Sequence, residues 1–190
     1  LENVRWDAEA PCGEKKSMSG KLKLGRMLLS GASLAAMGVF TPAMAQEETS
    51  DEVVVTKISR VTLVDVDRDV RSLRAELVKQ ADPARRDQKK LLLWMVSPDC
   101  QPCNGVAAAL SDPEMQEALG GARIVRVDVR DFSVELSYLG IPVQKIPGFA
   151  LLGPEQRAVD YLHGGEWDDD IAKNIAPVLG KFVRGGYDKG

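Results

Sequence analysis

Apolar positions along the chain fall into short runs separated by polar, glycine- and proline-rich breaks. Residues 53–64 are rich in Val, Thr and Ile, which predicts one or two short strands. Val70, Leu73 and Leu77 follow at helical spacing, with Asp67 as the expected cap and an end expected before Asp82-Pro83. Arg85 to Lys90 reads as a basic, solvated connector. Leu91–Val96 is an unbroken apolar run, the mark of a strand buried on both faces. A helix-like stretch around residues 106–110 comes next. A short helical turn opens at Asp112-Pro113-Glu114, with Pro at the first position, and closes at Gly120-Gly121.

Ile124–Val129 reads as a second buried strand, and Asp131 as the cap of a helix carrying Phe132, Leu136 and Leu139 that stops at Gly140. Gly148–Leu152 and Ala158–Leu162 flank the turn Gly153-Pro154-Glu155-Gln156, a hairpin pattern. A last helix is expected from Trp167 to Val183, capped by Asp168-Asp169-Asp170 and bent at Pro177. Ile171, Ile175, Val178 and Phe182 would form its inner face. The order predicts an α/β fold: a mixed central sheet of four or five strands with helices on both faces. Its strand–helix–strand units would be parallel and its final hairpin antiparallel.

The first 45 residues follow a different logic. Lys21, Lys23 and Arg26 follow Met18, and residues 27–40 are uncharged and mostly apolar. Pro42 and the small residues of Ala43-Met44-Ala45 complete the three-part pattern of a cleavable export signal over residues 18–45, with cleavage after Ala45. The apolar stretch is shorter than the ~20 residues a membrane helix takes, so no stable membrane anchor is expected after cleavage. Residues 1–17 precede Met18 and read as upstream sequence or an over-extended start; residues 46–51 read as an acidic tail, and residues 52–190 as the folded domain. The expected location is the periplasm or a comparable exported space.

Charge narrows the partners. With 25 Lys and Arg against 28 Asp and Glu, the chain lacks the basic excess of a nucleic-acid binder. Cysteine usage is more telling. Loss of the leader removes Cys12 and leaves Cys100 and Cys103, in Ser97-Pro98-Asp99-Cys100-Gln101-Pro102-Cys103-Asn104. The pair lies between a buried strand and a helix start, where free backbone N–H groups and the helix dipole favour thiolate. In an oxidising compartment it makes one disulfide or one redox couple. Its loop is too small to restrain the unfolded chain much, so a functional pair is favoured over a structural staple.

No cofactor or metal is expected. Tetrahedral zinc needs four ligands, and His163 is the only histidine. A copper site from Cys100, Cys103 and His163 is a weaker alternative, since thiolates accept copper. His163 reads as a surface or packing residue, Trp94 and Trp167 as core, and Asp65, Asp67 and Asp69 as a helix N-terminus.

Five features together carry a resemblance: the apolar strand, Cys100-Gln101-Pro102-Cys103, the second strand ending near Asp128, Ile146-Pro147 before the hairpin, and Gly164-Gly165 before the last helix. Over residues 52–184 the chain resembles the thioredoxin superfamily. The resemblance implies a thioredoxin-like fold, with Cys100 as the exposed attacking thiol and Cys103 as the buried resolving thiol. Pro147, in preference to Pro142, would be the cis-proline facing the disulfide, and Ile146 would offer backbone groups to a substrate strand. Two departures stand out. Asp99 occupies the position where thioredoxins usually carry Trp, and a carboxylate there opposes thiolate formation. Trp94 replaces a buried Asp thought to help proton transfer to the resolving thiol. Two extra residues also precede Pro147.

Together with the export signal, the resemblance implies an exported thiol–disulfide oxidoreductase acting on protein disulfides, with electrons coming from or going to a membrane redox partner. Asp99, Gln101 and Pro102 would tune its potential, with Asp99 favouring reduction. The alternatives are a non-catalytic thioredoxin-like binding module and, less favoured, a copper-binding chaperone.

Overall fold

The computed structural model describes residues 53–187. The expected start, signal and acidic tail at residues 1–17, 18–45 and 46–51 lie outside the described residues, as does Cys12.

The elements run β1 (Val53–Ile58), β2 (Val61–Val66), α1 (Leu73–Arg86), β3 (Lys90–Val96), α2 (Gln101–Ala109), α3 (Pro113–Leu119), β4 (Ala122–Asp128), α4 (Val129–Tyr138), β5 (Gly148–Leu152), β6 (Ala158–His163) and α5 (Ala172–Arg184). The sheet has six strands in the order β1-β2-β4-β3-β5-β6, one or two more than expected. Residues 53–66 form two strands because Ser59, with φ of 51°, turns the chain back on itself. β2, β4 and β3 are parallel; β1, β5 and β6 are antiparallel to their neighbours. This is a thioredoxin-like arrangement carrying an additional edge strand, β1. Val54 and Val55 on that edge are 57% and 55% exposed, and only Val53 and Ile58 of β1's apolar residues touch the core.

Alternation along β3 builds two cores. Leu92 and Trp94 face α2, α3 and α5, with Ile124, Phe149 and Phe182. Leu91, Leu93 and Met95 face α1 and α4, with Val125, Val127 and Leu136. A strand buried on both faces must be apolar at every position, which is why Leu91–Val96 shows no polar alternation.

The helix starts depart from expectation. Ser72, not Asp67, caps α1, its side chain accepting from Ala75 N–H at 3.3 Å. Asp67 instead closes a local turn onto Asp69 N–H at 3.2 Å, and Asp65 sits on β2 paired with Arg126, so neither belongs to a helix N-terminus. α1 also runs through Pro83 to Arg86, because its buried stripe Leu73, Leu77, Ala81 and Ala84 continues past the proline. Arg85 and Arg86, expected in a connector, lie in its last turn, where cations complement the helix dipole. α4 begins at Val129, capped by Asp128 rather than Asp131, so β4 ends one residue early. α5 begins at Ala172, five residues later than expected. Its N-cap Ile171 makes no side-chain cap bond and is 52% exposed, and the Asp170 carboxylate is taken by Trp167 Nε1–H at 2.9 Å. The inner face of α5 is Ile175, Leu179, Phe182 and Val183.

Buried Gln116 ties α3 to the β1–β2 turn. Its side-chain oxygen accepts from Arg60 N–H at 2.8 Å and Val61 N–H at 3.3 Å, and its amide donates to Leu110 C=O. Gln116→Leu would leave the buried Val61 N–H and Leu110 C=O without this partner. A loss of about 1–3 kcal/mol in urea unfolding is expected; an unchanged midpoint would show that the turn finds other partners.

Candidate redox site

The site sits at the C-terminal end of β3. The crossover from β2 to β3 carries α1 on one face and the crossover from β3 to β4 carries α2 and α3 on the other. Loops leaving such a reversal point away from the sheet, into the crevice where open α/β folds place their chemistry. Residues 97–99 leave β3, and Cys100 is the N-cap of α2, in extended conformation with φ −85° and ψ 94°. Its Sγ accepts from Cys103 N–H at 3.1 Å, doing for a sulfur what a capping hydroxyl does. Pro102 lies in the first turn, where its missing N–H leaves no bond unmade.

Cys100 and Cys103 form a disulfide, Sγ to Sγ 1.94 Å with Cα atoms 5.2 Å apart. Both are buried, 6% and 4% exposed, so Cys100 is not the exposed thiol that the resemblance implies in this oxidised form. The other neighbour of Cys100 behaves differently. The Asp99 side chain is 94% exposed, with Arg130 Nη1 at 3.8 Å. Water and that guanidinium screen its effect on a Cys100 thiolate.

Behind the pair lies Trp94, fully buried and stacked on Phe149 with ring centres 5.7 Å apart. The Arg126 guanidinium lies over the Trp94 ring, 5.2 Å from its centre, and donates to Asp65. A cleft of about 280 Å³ opens here, lined by Cys103, Asn104, Ala107, Trp94, Arg126 and Asp128 among others. Burial resists ionisation of Asp128, but hydrogen bonds from the Arg130 side chain and backbone outweigh it and hold the carboxyl below the usual range. Arg130 Nη2 donates to Asp128 Oδ2 at 2.7 Å.

The Ile146–Pro147 bond is cis, and the bond before Pro142 is not among the cis bonds of the described residues. Gly148 is in register with Met95, so Pro147 lies at the same end of the sheet as the disulfide loop. Two hydrogen bonds fix this segment. Gly164 N–H donates to Pro147 C=O at 2.8 Å, and Tyr161 O–H donates to Lys145 C=O at 2.8 Å. A Cβ on Gly164 would stand 2.9 Å from Pro147 Cδ, so only glycine packs there without displacement. Burial pushes the Tyr161 hydroxyl up, keeping it a donor. His163 closes the hairpin end, its Nδ1 accepting from Gly165 N–H at 3.0 Å. Among the described residues no three His, Cys, Asp or Glu side chains gather as a metal site.

Arg126, Asp128, Tyr161 and Gly164 take part in the site's geometry without carrying a sequence signal that marks them as such. Asp128 was visible only as the end of the second strand, and Gly164 only as part of the Gly164-Gly165 break before the last helix. Arg126 could have been suspected as the charge that interrupts the apolar residues Ile124, Val125 and Val127 of that strand.

No protein-family model matches the chain, and no curated protein sequence does. Among solved structures, it overlaps a disulphide isomerase from Xylella fastidiosa at 22% identity and TM-score 0.49, over 60% of this chain and 94% of that one. A poplar thioredoxin h overlaps at 22% identity and TM-score 0.38, over 54% and 82%. A thioredoxin from Trypanosoma brucei overlaps at 16% identity and TM-score 0.39, over 65% and 88%. The thioredoxin-like character of the fold is carried by its own strand order and helix layers.

The Asp128–Arg130 pair makes stability depend on pH. A carboxyl held low by the fold contributes fully above its unfolded pKa, about 3.9, and the contribution is lost as pH falls through the lower folded value. Arg130→Ala should therefore be less stable than the parent at neutral pH, with the two denaturation midpoints converging in acid. A gap that stayed constant down to acid pH would assign the loss to something other than this pair.

Proposed function

We propose that this protein is an exported thiol–disulfide oxidoreductase that reduces or exchanges protein disulfides through Cys100 and Cys103. The observation that carries the reading is one arrangement. A bonded cysteine pair caps α2 at the end of the central strand, and Pro147, after a cis bond, lies at the same sheet end.

In the reducing direction the Cys100 thiolate attacks one sulfur of a substrate disulfide. That S–S bond breaks, and the departing sulfur leaves as a thiolate and takes a proton. Cys103, as thiolate, then attacks Cys100 Sγ. The mixed disulfide breaks, the second substrate sulfur leaves, and the Cys100–Cys103 bond re-forms. Two electrons pass from the dithiol to the substrate, and a membrane dithiol partner would return them. Pro147 and the backbone of Ile146 would face the substrate strand; the hydrogen bonds of this segment run through Lys145 C=O and Pro147 C=O rather than through Ile146. Export to the periplasm, with cleavage after Ala45, belongs to the same proposal and supplies the oxidising setting. Asp99 beside Cys100 is the support for reduction, and it is slight, because that carboxylate lies in water.

The low exposure of both cysteines favours a second reading, a binding module whose disulfide stays closed. Cys103→Ala separates the two. Expressed in cells, this variant should hold client proteins on Cys100 as reducible mixed disulfides, and Cys100→Ser in the same background should release them all. If nothing is trapped, and the parent protein fails to reduce insulin disulfides, the binding module stands.

A further inference from the structure

The resolving step needs a proton to leave a buried sulfur. Cys103 is 4% exposed, and burial disfavours its thiolate. β3 offers no base beneath it, because Trp94 fills that place and has no titratable group. Two ionisable side chains, both from β4, line the cleft that reaches Cys103. Arg126 cannot accept a proton, and it is pinned between the Trp94 ring and Asp65. Asp128 can accept one. It stands opposite Val96, the last residue of β3, in the β3–β4 register. The cleft has room for the water that would connect the two groups.

We propose that Asp128 accepts the proton of Cys103 across this cleft, while the Arg126 guanidinium steadies the thiolate as it forms. The inference rests on the thiol–disulfide exchange reading above and names a group that acts in its second step. The Cys103 S–H proton passes through water to the Asp128 carboxylate. The Cys103–Cys100 bond then forms as the bond from Cys100 to the substrate sulfur breaks, and the electron pair leaves on that sulfur, which takes up the proton.

The charges around Asp128 are Arg130 and Asp131 on α4, Asp99 on the loop before α2, and Arg126 on its own strand. Arg130 keeps the carboxylate ionised and ready to accept, at the expense of its basicity. A proton relay is therefore expected to give the low end of what positioned proton transfer supplies, about a hundredfold.

The test uses the reduced full chain and an aromatic disulfide whose released thiolate is coloured. The first burst reports attack by Cys100 and the second reports resolution by Cys103. In Asp128→Asn the side chain can still accept from Arg130 N–H, so the start of α4 is kept. The first burst should be unchanged. The second should slow about a hundredfold at neutral pH, with the deficit closing as rising pH lets hydroxide take the proton. Asp128→Glu, which keeps a carboxylate on the cleft, should retain the parent pH dependence. A second burst that is unchanged in Asp128→Asn, or slowed by the same factor at every pH, overturns the assignment. A parent protein with no second burst at all overturns the exchange reading itself.

Discussion

The fold depends on β3 being sealed on both faces and both edges. Leu91 to Met95 are all buried, and the strand is hydrogen-bonded to β4 on one side and β5 on the other. A slip of one residue would swap its two faces, sending Trp94 into the layer built for Leu93. That register fixes where β3 ends, and with it where residues 97–99 begin and where Cys100 caps α2. The position of the disulfide is thus decided by the register of an apolar strand.

Trp94 shows how one such residue can also shape the chemistry. Its indole N–H is buried without a partner, a cost of about 1–3 kcal/mol. Stacking on Phe149 contributes roughly 0.5–1.5 kcal/mol and the Arg126 cation over the ring about 0.5–2. The opposing quantities are of similar size, so the arrangement is tolerable without being a source of stability. What it achieves is placement: an arginine is held beside the cleft behind Cys103, inside a strand whose neighbouring residues are apolar.

The strands were largely legible in the sequence, and the helix starts were not, for a physical reason. Buried strands announce themselves through apolar runs, unbroken in Leu91–Val96 and interrupted once, by Arg126, in Ile124–Val127. A helix start depends on which of several competing oxygens captures a backbone N–H. Asp67 and Ser72 were both eligible, as were Asp128 and Asp131, and tertiary placement chose between them. Asp168 to Asp170 look like a cap, yet Trp167 claims one carboxylate and the helix starts without a side-chain cap. The site follows the same division. The cysteine pair and Pro147 stand out because their chemistry is scarce. Arg126, Asp128 and Gly164 matter through neighbours far away in sequence, and such adjacency leaves no local pattern.

The edge strand β1 has a consequence for how this chain can change over time. It covers the outer edge of β2, whose side chains are largely buried, and it contributes little to either core itself. Its four central residues face water, so substitutions there carry small penalties as long as the backbone ladder survives and a charge such as Lys57 discourages edge-to-edge pairing. Sequence drift should collect on this margin, separated from β3 by β2 and β4, while the strand that aims the cysteines stays shielded from it. β1 is a hem: it can fray and be resewn, and the cloth beneath keeps its pattern.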